Sequence, residues 1–256
     1  MILHQFPSSH FNEKARWALD YKHLAHARQN YLPGPHAGKI KQLTNGQQTT
    51  TPVLEADAIV PGSAAIIDYL EMRFPQPGLY PADPEQLEAA LAWQSRLDQE
   101  LGPAVRTVAF SVFVHEPGFL AKTFTGDKPL LTRVAYRLLL PLVLPIIRKA
   151  NGADSEDNIQ ACQLCVDEYL NEIARTIKPT GYLVGSDFSI ADLTAAALLA
   201  PLTIQTHPDM RRPQPIPQTM QSLLNAYAEH PTIEWVHRMY KLHRPDPESE
   251  GASTHG

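Results

Sequence analysis

The chain has 256 residues and a formal net charge of −5, its 22 Lys and Arg interspersed with 27 Asp and Glu. With no basic run it lacks the electrostatic footprint for nucleic acid or an anionic membrane surface, and a small molecule is the expected partner. Length enough for two domains, only two cysteines (Cys162 and Cys165) and an N-terminus without the pattern of a secretory signal point to a two-domain cytoplasmic protein.

Residues 2–6, ILHQF, are β-prone and stop at Pro7; from Phe11 the apolar residues Phe11, Ala15, Ala18 and Leu19 recur at helical spacing. ARQNYL at 27–32 reads as a second strand, which makes a βαβ unit with its two strands parallel. TPVLEADAIV at 51–60 reads as a hairpin with an acidic turn from Glu55 to Asp57. PGSAAIIDYLEMRF at 61–74 reads as a helix with Ser63 as N-cap and Ala64, Ile67, Tyr69, Leu70 and Phe74 inward. Residues 1–76 are therefore expected to form one α/β domain, βαβ followed by ββα.

The Pro-rich stretch at 75–84 reads as a linker, and residues 85–243 as an all-α bundle in which apolar residues recur every three or four positions. LLTRVAYRLLLPLVLPII at 130–147 is broken by Arg133, Arg137, Pro141 and Pro145, so a buried, kinked core helix is expected there rather than a membrane span. Residues 244–256 carry no apolar periodicity and are expected to be a disordered tail.

Chemistry is suggested where strands give way to helices. Unpaired N–H groups and a partial positive charge at a helix start, with a hydroxyl beside them, can hold an anion such as a thiolate; Ser9 is placed for this, although Ser8 or Ser9 can equally serve as a plain N-cap. Thr51–Pro52 stands just before a strand, where a cis bond exposing the Thr51 backbone is expected. Ser63 opens a second helix start, able to receive a carboxylate. Two anion-competent helix starts and one exposed strand edge point to a peptide-like anionic ligand. Ser189 and Asp192 read as a capping box. Cys162 and Cys165, inside a helical run without a second pair, read as packing. His10 is a candidate modulator of a nearby thiolate with surface solvation as its ordinary reading, His4 is a candidate hydrogen-bonded core residue, and no metal-ligand spacing is seen.

Four stretches carry a resemblance: SSHFNEKARWALDYK, TPVL, PGSAAIIDYLE and VGSDFSIADL. Their order and spacing resemble the S-x-x-x-x-[KR]-[VA]-R, V-P-x-L, [ED]-S-x-x-I-x-x-Y-L-E and G-x-x-x-[ST]-x-A-D patterns of the glutathione S-transferase superfamily. The resemblance implies a thioredoxin-like N-terminal domain that binds glutathione, a helical domain that binds a second substrate, and a cytoplasmic homodimer acting in detoxification without a metal. It places Ser9 at the active-site position, held by serine in the theta and zeta classes and by cysteine in the omega class, as donor of a hydrogen bond to the glutathione sulfur. Ser8 and Asn12 stay open as alternative donors. Thr51, in place of the usual Val, and the cis Pro52 would pair with the glutathione backbone, and Ser63 would take the γ-glutamyl carboxylate. Gly62 stands where the superfamily usually has Glu, Asp or Gln. With no thiol at position 9, an oxidoreductase working through a mixed disulfide there is disfavoured. The resemblance implies conjugation of glutathione to a hydrophobic electrophile between the domains, with Phe11, Phe110, Phe113 and Phe119 as candidate walls. The alternative is a non-catalytic member that binds a ligand or a protein, to which Gly62 and the long 105–149 segment point.

Overall fold

The computed structural model describes residues 1–126 and 128–245. Strand β1 (Ile2–Gln5) and strand β2 (Ala27–Asn30) are parallel, joined by helix α1 (His10–Tyr21). Helix α2 (His36–Leu43) follows, then the hairpin of β3 (Val53–Glu55) and β4 (Ile59–Pro61), and helix α3 (Ser63–Arg73). The sheet order is β2-β1-β3-β4, with β3 antiparallel to both neighbours. This is the expected thioredoxin-like arrangement, with α2 added. Helix α2 left no readable pattern because Ile40 is its one buried side chain, so its eight residues carry no apolar repeat.

The start of α3 corrects the expectation for Ser63. Gly62 is the N-cap, at φ 96°, and Ser63 is the first helical residue. A Cβ at position 62 meets nothing within 4 Å, so glycine is required there by its backbone and not by lack of space. The segment before the helical region is pinned rather than loose: Lys22 Nζ donates to the carbonyls of Phe74 and Pro77 at 2.7 and 2.8 Å, and Leu79 is buried.

The helical region comprises α4 (Pro84–Arg96), a π turn (Leu97–Leu101), α5 (Gly102–Phe113), α6 (Pro117–Thr125), α7 (Leu130–Ala150), α8 (Glu156–Thr176), α9 (Ile190–Leu199), α10 (Gln218–Ala228) and α11 (Pro231–His243). Helix α9 is its axis. All ten residues are buried, and the run Ala195 to Ala197 lets α1, α4 and α11 pack closely around it. The expected capping box starts it: Asp192 Oδ2 accepts from the Ser189 N–H and hydroxyl, each at 3.0 Å, and Oδ1 from the Leu183 N–H at 2.8 Å. One continuous core joins Leu3, Trp17 and Ile67 of the first domain to Val105, Leu170 and Val236 of the second half.

Helix α7 departs from expectation. Only Leu140 of its 21 residues is buried, whereas Leu131, Leu138 and Leu142 are 82%, 74% and 76% exposed. It runs unbroken through Pro141 and Pro145 and packs on α6, where Leu120, Ala121 and Leu140 form a small separate core. The reason is geometric: apolar residues of α7 spread over more than one face, but a helix meets its neighbour along one stripe, and none of the described residues forms a second layer over the rest. By length and composition it is the one helix among the described residues apolar enough to cross a membrane.

The two halves are also joined by charge. Glu13, Lys14 and Arg16 of α1 are 0% exposed. Lys14 Nζ reaches Asp98 at 2.6 Å. Glu13 accepts from Arg16 Nε at 2.8 Å and Arg244 Nε at 2.9 Å, and Arg244 continues to Asp20 at 2.7 Å and Asp209 at 2.6 Å. Arg28 on β2 closes the network on Asp20 and Asp209, at 3.0 and 2.5 Å. Arg244, the first residue of the expected tail, is thus held in the core; residues 246–256, on which most of that expectation falls, lie outside the described residues.

Candidate functional site

Register places the candidate residues. His4 on β1 pairs with Val53 on β3, which pairs with Pro61 on β4. Since neighbouring strands are about 4.8 Å apart, this row spans roughly 10 Å. The chain leaves β1 toward Ser9, enters β3 from Thr51 and Pro52, and leaves β4 into Gly62 and Ser63, all at the same end of the sheet. The structure therefore brings together the five residues that the sequence pattern singled out.

Ser9 is the N-cap of α1, with extended backbone (φ −86°, ψ 131°). Its carbonyl accepts from the Glu13 N–H at 2.8 Å, but its half-buried hydroxyl makes no capping hydrogen bond, so the plain capping explanation for this serine does not hold. Ser8 is exposed. Asn12 is buried; its Nδ2 donates to Thr51 Oγ1 at 3.2 Å, while its Oδ1 has no partner among the described residues. The Thr51–Pro52 bond is cis, and the Pro52 carbonyl accepts from the Gly62 N–H at 2.9 Å. These two bonds tie the three chain segments into one surface. At the α3 start the first intrahelical bond is Ile66 N–H to Gly62 O, at 3.0 Å, so the N–H groups of Ser63, Ala64 and Ala65 stand ahead of the ladder, with no acidic side chain in that turn.

His10 is not a solvated surface residue. It is buried, its Nε2–H donates to the Gly102 carbonyl at 3.0 Å, and burial brings its pKa down to about 4, so it stays neutral at pH 7 and fastens α1 to α5. His4 is the hydrogen-bonded core residue expected, held by Tyr31 and Glu55 at 2.9 Å each. Cys162 and Cys165 are half-buried on α8 against the main core, as packing residues.

A cavity of about 480 Å³ opens between the Pro7–Ser8 turn, which precedes Ser9, and the helical region; Ser8 is on its wall and Ser9 is not. Of the four phenylalanines expected around a second ligand, Phe113 lines it. Phe119 is buried and stacks on Phe113, Phe110 packs beside the small α6–α7 core, and Phe11 is half-buried against the main core, where a Cβ on Gly102 would come within 2.5 Å of its ring. Prolines and cations, not aromatics, make up most of the wall: Lys122, Arg133, Arg211 and Arg212 are on it. Arg212 had no sequence signal, because nothing local distinguishes it from Arg211. Its guanidinium donates to the carbonyls of Thr203 and Pro201, a contact that exists only once the chain after α9 folds back.

Residues 3–78 match the family described as glutathione S-transferase, N-terminal domain. Among curated proteins none matches the sequence. Similar solved structures include a glutathione S-transferase from Methylobacterium radiotolerans in complex with glutathione sulfonate (TM-score 0.59, 18% identity, covering 97% of this chain and 92% of that one). The β-etherase LigF from Sphingobium sp. strain SYK-6 is similar at TM-score 0.59 and 20% identity, over 93% of this chain and 98% of that one. A Tau class glutathione S-transferase from mango, Mangifera indica, is similar at TM-score 0.60 and 16% identity, over 97% and 94%. At these identities the likeness is one of fold.

Proposed function

Because residues 3–78 form a glutathione S-transferase N-terminal domain and the whole chain carries that superfamily's fold, we propose that this protein is a glutathione transferase. The observation that supports it most is the Ser9 hydroxyl, free of capping at the start of α1 and half-exposed at the same end of the sheet as Thr51, cis-Pro52 and the α3 start. Glutathione lies along Thr51, its cysteinyl backbone pairing with the Thr51 main chain like an added strand. Its γ-glutamyl carboxylate meets the Ser63 hydroxyl and the N–H groups of the first turn of α3. Ser9 donates to the sulfur, and that bond, with the α1 dipole, favours the thiolate over the thiol.

The thiolate then attacks an electrophilic carbon in the adjoining cavity. An S–C bond forms, the bond to the leaving group breaks, and the electron pair departs with that group; the thiol proton has gone to solvent. The protein's own part is to lower the thiol pKa and to orient the two reactants. Gly62 supplies no side chain to the γ-glutamyl group, but it gives α3 an unstrained start. A cytoplasmic setting and a homodimer belong to the same proposal.

The test is calorimetric titration of glutathione into wild type and Ser9→Ala, with thiolate absorbance followed against pH. Wild type is expected to bind and to lower the thiol pKa, and Ser9→Ala to bind without lowering it, its kcat/KM falling about a hundredfold. Absence of glutathione binding by wild type overturns the reading. The exposed apolar face of α7 favours a second one, a non-catalytic module that binds a ligand or protein.

A further inference from the structure

The cavity beside Ser8 is unbalanced in charge. Its wall holds four cations, Lys122, Arg133, Arg211 and Arg212, against one carboxylate, Asp209. That carboxylate is already committed: Oδ1 accepts from Arg28 at 2.5 Å and Oδ2 from Arg244 at 2.6 Å. None of the four wall cations meets a carboxylate among the described residues. Lys122 Nζ donates to the Gln214 carbonyl at 2.5 Å, Arg211 to the Thr206 carbonyl at 3.1 Å, and Arg212 to the carbonyls of Thr203 and Pro201. Carbonyl dipoles hold these groups in place without cancelling their charge.

Arg212 matters most because it is half-buried, whereas the other three are exposed. Burial lowers its pKa only to about 10, so it remains a cation at neutral pH. The rest of the wall is largely apolar, with Pro7, Phe113, Pro201 and Met210 among it. An unneutralised guanidinium on an apolar wall has lost hydration without gaining a counter-charge, and an anion bound there would supply it with a charge-assisted, two-pronged hydrogen bond.

We propose that the second substrate is an electrophile with an apolar body and an anionic group (carboxylate, sulfonate or phosphate), which docks on Arg212 with Arg211, Arg133 and Lys122 around it. That the bound molecule is a substrate rests on the transferase reading; the anion site rests on the cavity alone. The anionic group is a handle that orients the electrophilic carbon toward the sulfur and takes no part in bond making or breaking.

The test is equilibrium titration of 4-chloro-3-nitrobenzoate and of the uncharged 4-chloro-3-nitrobenzamide into the glutathione-free protein. The benzoate is expected to bind at least about tenfold tighter, and Arg212→Gln to remove that preference while leaving amide affinity within about twofold. Should Arg212→Gln fail to fold, the double variant Arg133→Gln/Arg211→Gln, at exposed positions, is expected to reduce the preference about fivefold. Saturating glutathione should leave benzoate affinity within about threefold. Equal affinities in wild type, a preference that survives the variants, or displacement of the benzoate by glutathione overturns the inference. Glutathione binding is read separately: anion preference without glutathione binding keeps the site and sinks the transferase reading, and glutathione binding with turnover but without anion preference does the reverse.

Discussion

Glu13 is the carboxylate on which the two halves of the molecule depend most directly, and Glu13→Gln tests that dependence. It is wholly buried between Arg16 and Arg244, at 2.8 and 2.9 Å, with the Tyr240 hydroxyl at 3.3 Å. The network balances Arg16, Arg28 and Arg244 against Glu13, Asp20 and Asp209; the variant leaves three guanidinium groups facing two carboxylates and turns an amide N–H toward one of them. Breaking a buried pair from one side costs about 3–5 kcal/mol. At about 2–4 °C per kcal/mol for a chain of this size, the melting temperature should fall by about 6–20 °C.

Burial alone would raise the Glu13 pKa, but Arg244 and Arg16 outweigh it and hold the carboxyl below its ordinary range. A carboxyl with a depressed folded-state pKa contributes stability above its unfolded value, near 4.3, and loses it as pH falls through the folded value. The penalty of Glu13→Gln should therefore be full at pH 7 and shrink in acid below about pH 4. Urea unfolding followed by circular dichroism at pH 7 and pH 3.5 reads both. Glu172→Gln is the control: its two-pronged pair with Arg96, at 2.9 and 2.8 Å, is solvent-exposed and should cost at most about 1 kcal/mol. A Glu13→Gln penalty no larger than the control's would refute the reasoning.

Asp192→Ala strips the acceptor from two buried main-chain N–H groups and one hydroxyl, and should cost about 2–4 kcal/mol in a denaturant melt. Its pH dependence runs opposite to that of Glu13: burial raises the Asp192 pKa to about 6, so the stability it contributes is largest below about pH 4 and declines as pH rises through 6; the penalty should be greater at pH 5 than at pH 8. Leu138→Gln and Leu142→Gln should each change stability by less than about 0.5 kcal/mol, because both side chains are exposed; a loss of 2 kcal/mol in either would return α7 to the core.

Much of the first domain was legible because its signals are local. The β-prone run around Leu3 and the hairpin turn at Glu55 to Asp57 each depend on residues a few positions apart, as does the Ser189–Asp192 box in the helical half. The order of four short stretches singled out Ser9, Thr51, Pro52, Gly62 and Ser63 through the family resemblance, and strand register brought them to one end of the sheet. The errors are of the opposite kind. Ser63 has the composition of an N-cap, but the backbone at Gly62 has positive φ and takes that position one residue earlier. His10 looks like a surface histidine until Gly102, far along the chain, arrives to accept from it.

What the sequence by itself determined is an α/β unit of βαβ and ββα ahead of a helical half, since periodicity, capping and turn chemistry act within a few residues; the thioredoxin-like fold and the roles of the junction residues came from the family resemblance, and α2, with one buried side chain, escaped both. Tertiary structure alone decided which apolar stripe of α7 found a partner, which of four phenylalanines faced the cavity, and that Arg212 lines that cavity without a counter-charge among the described residues while Arg244 is neutralised in the core. Burial and charge compensation are properties of what comes to lie beside a residue, and the partners here are brought together from as far as 231 positions away, as Glu13 and Arg244 are.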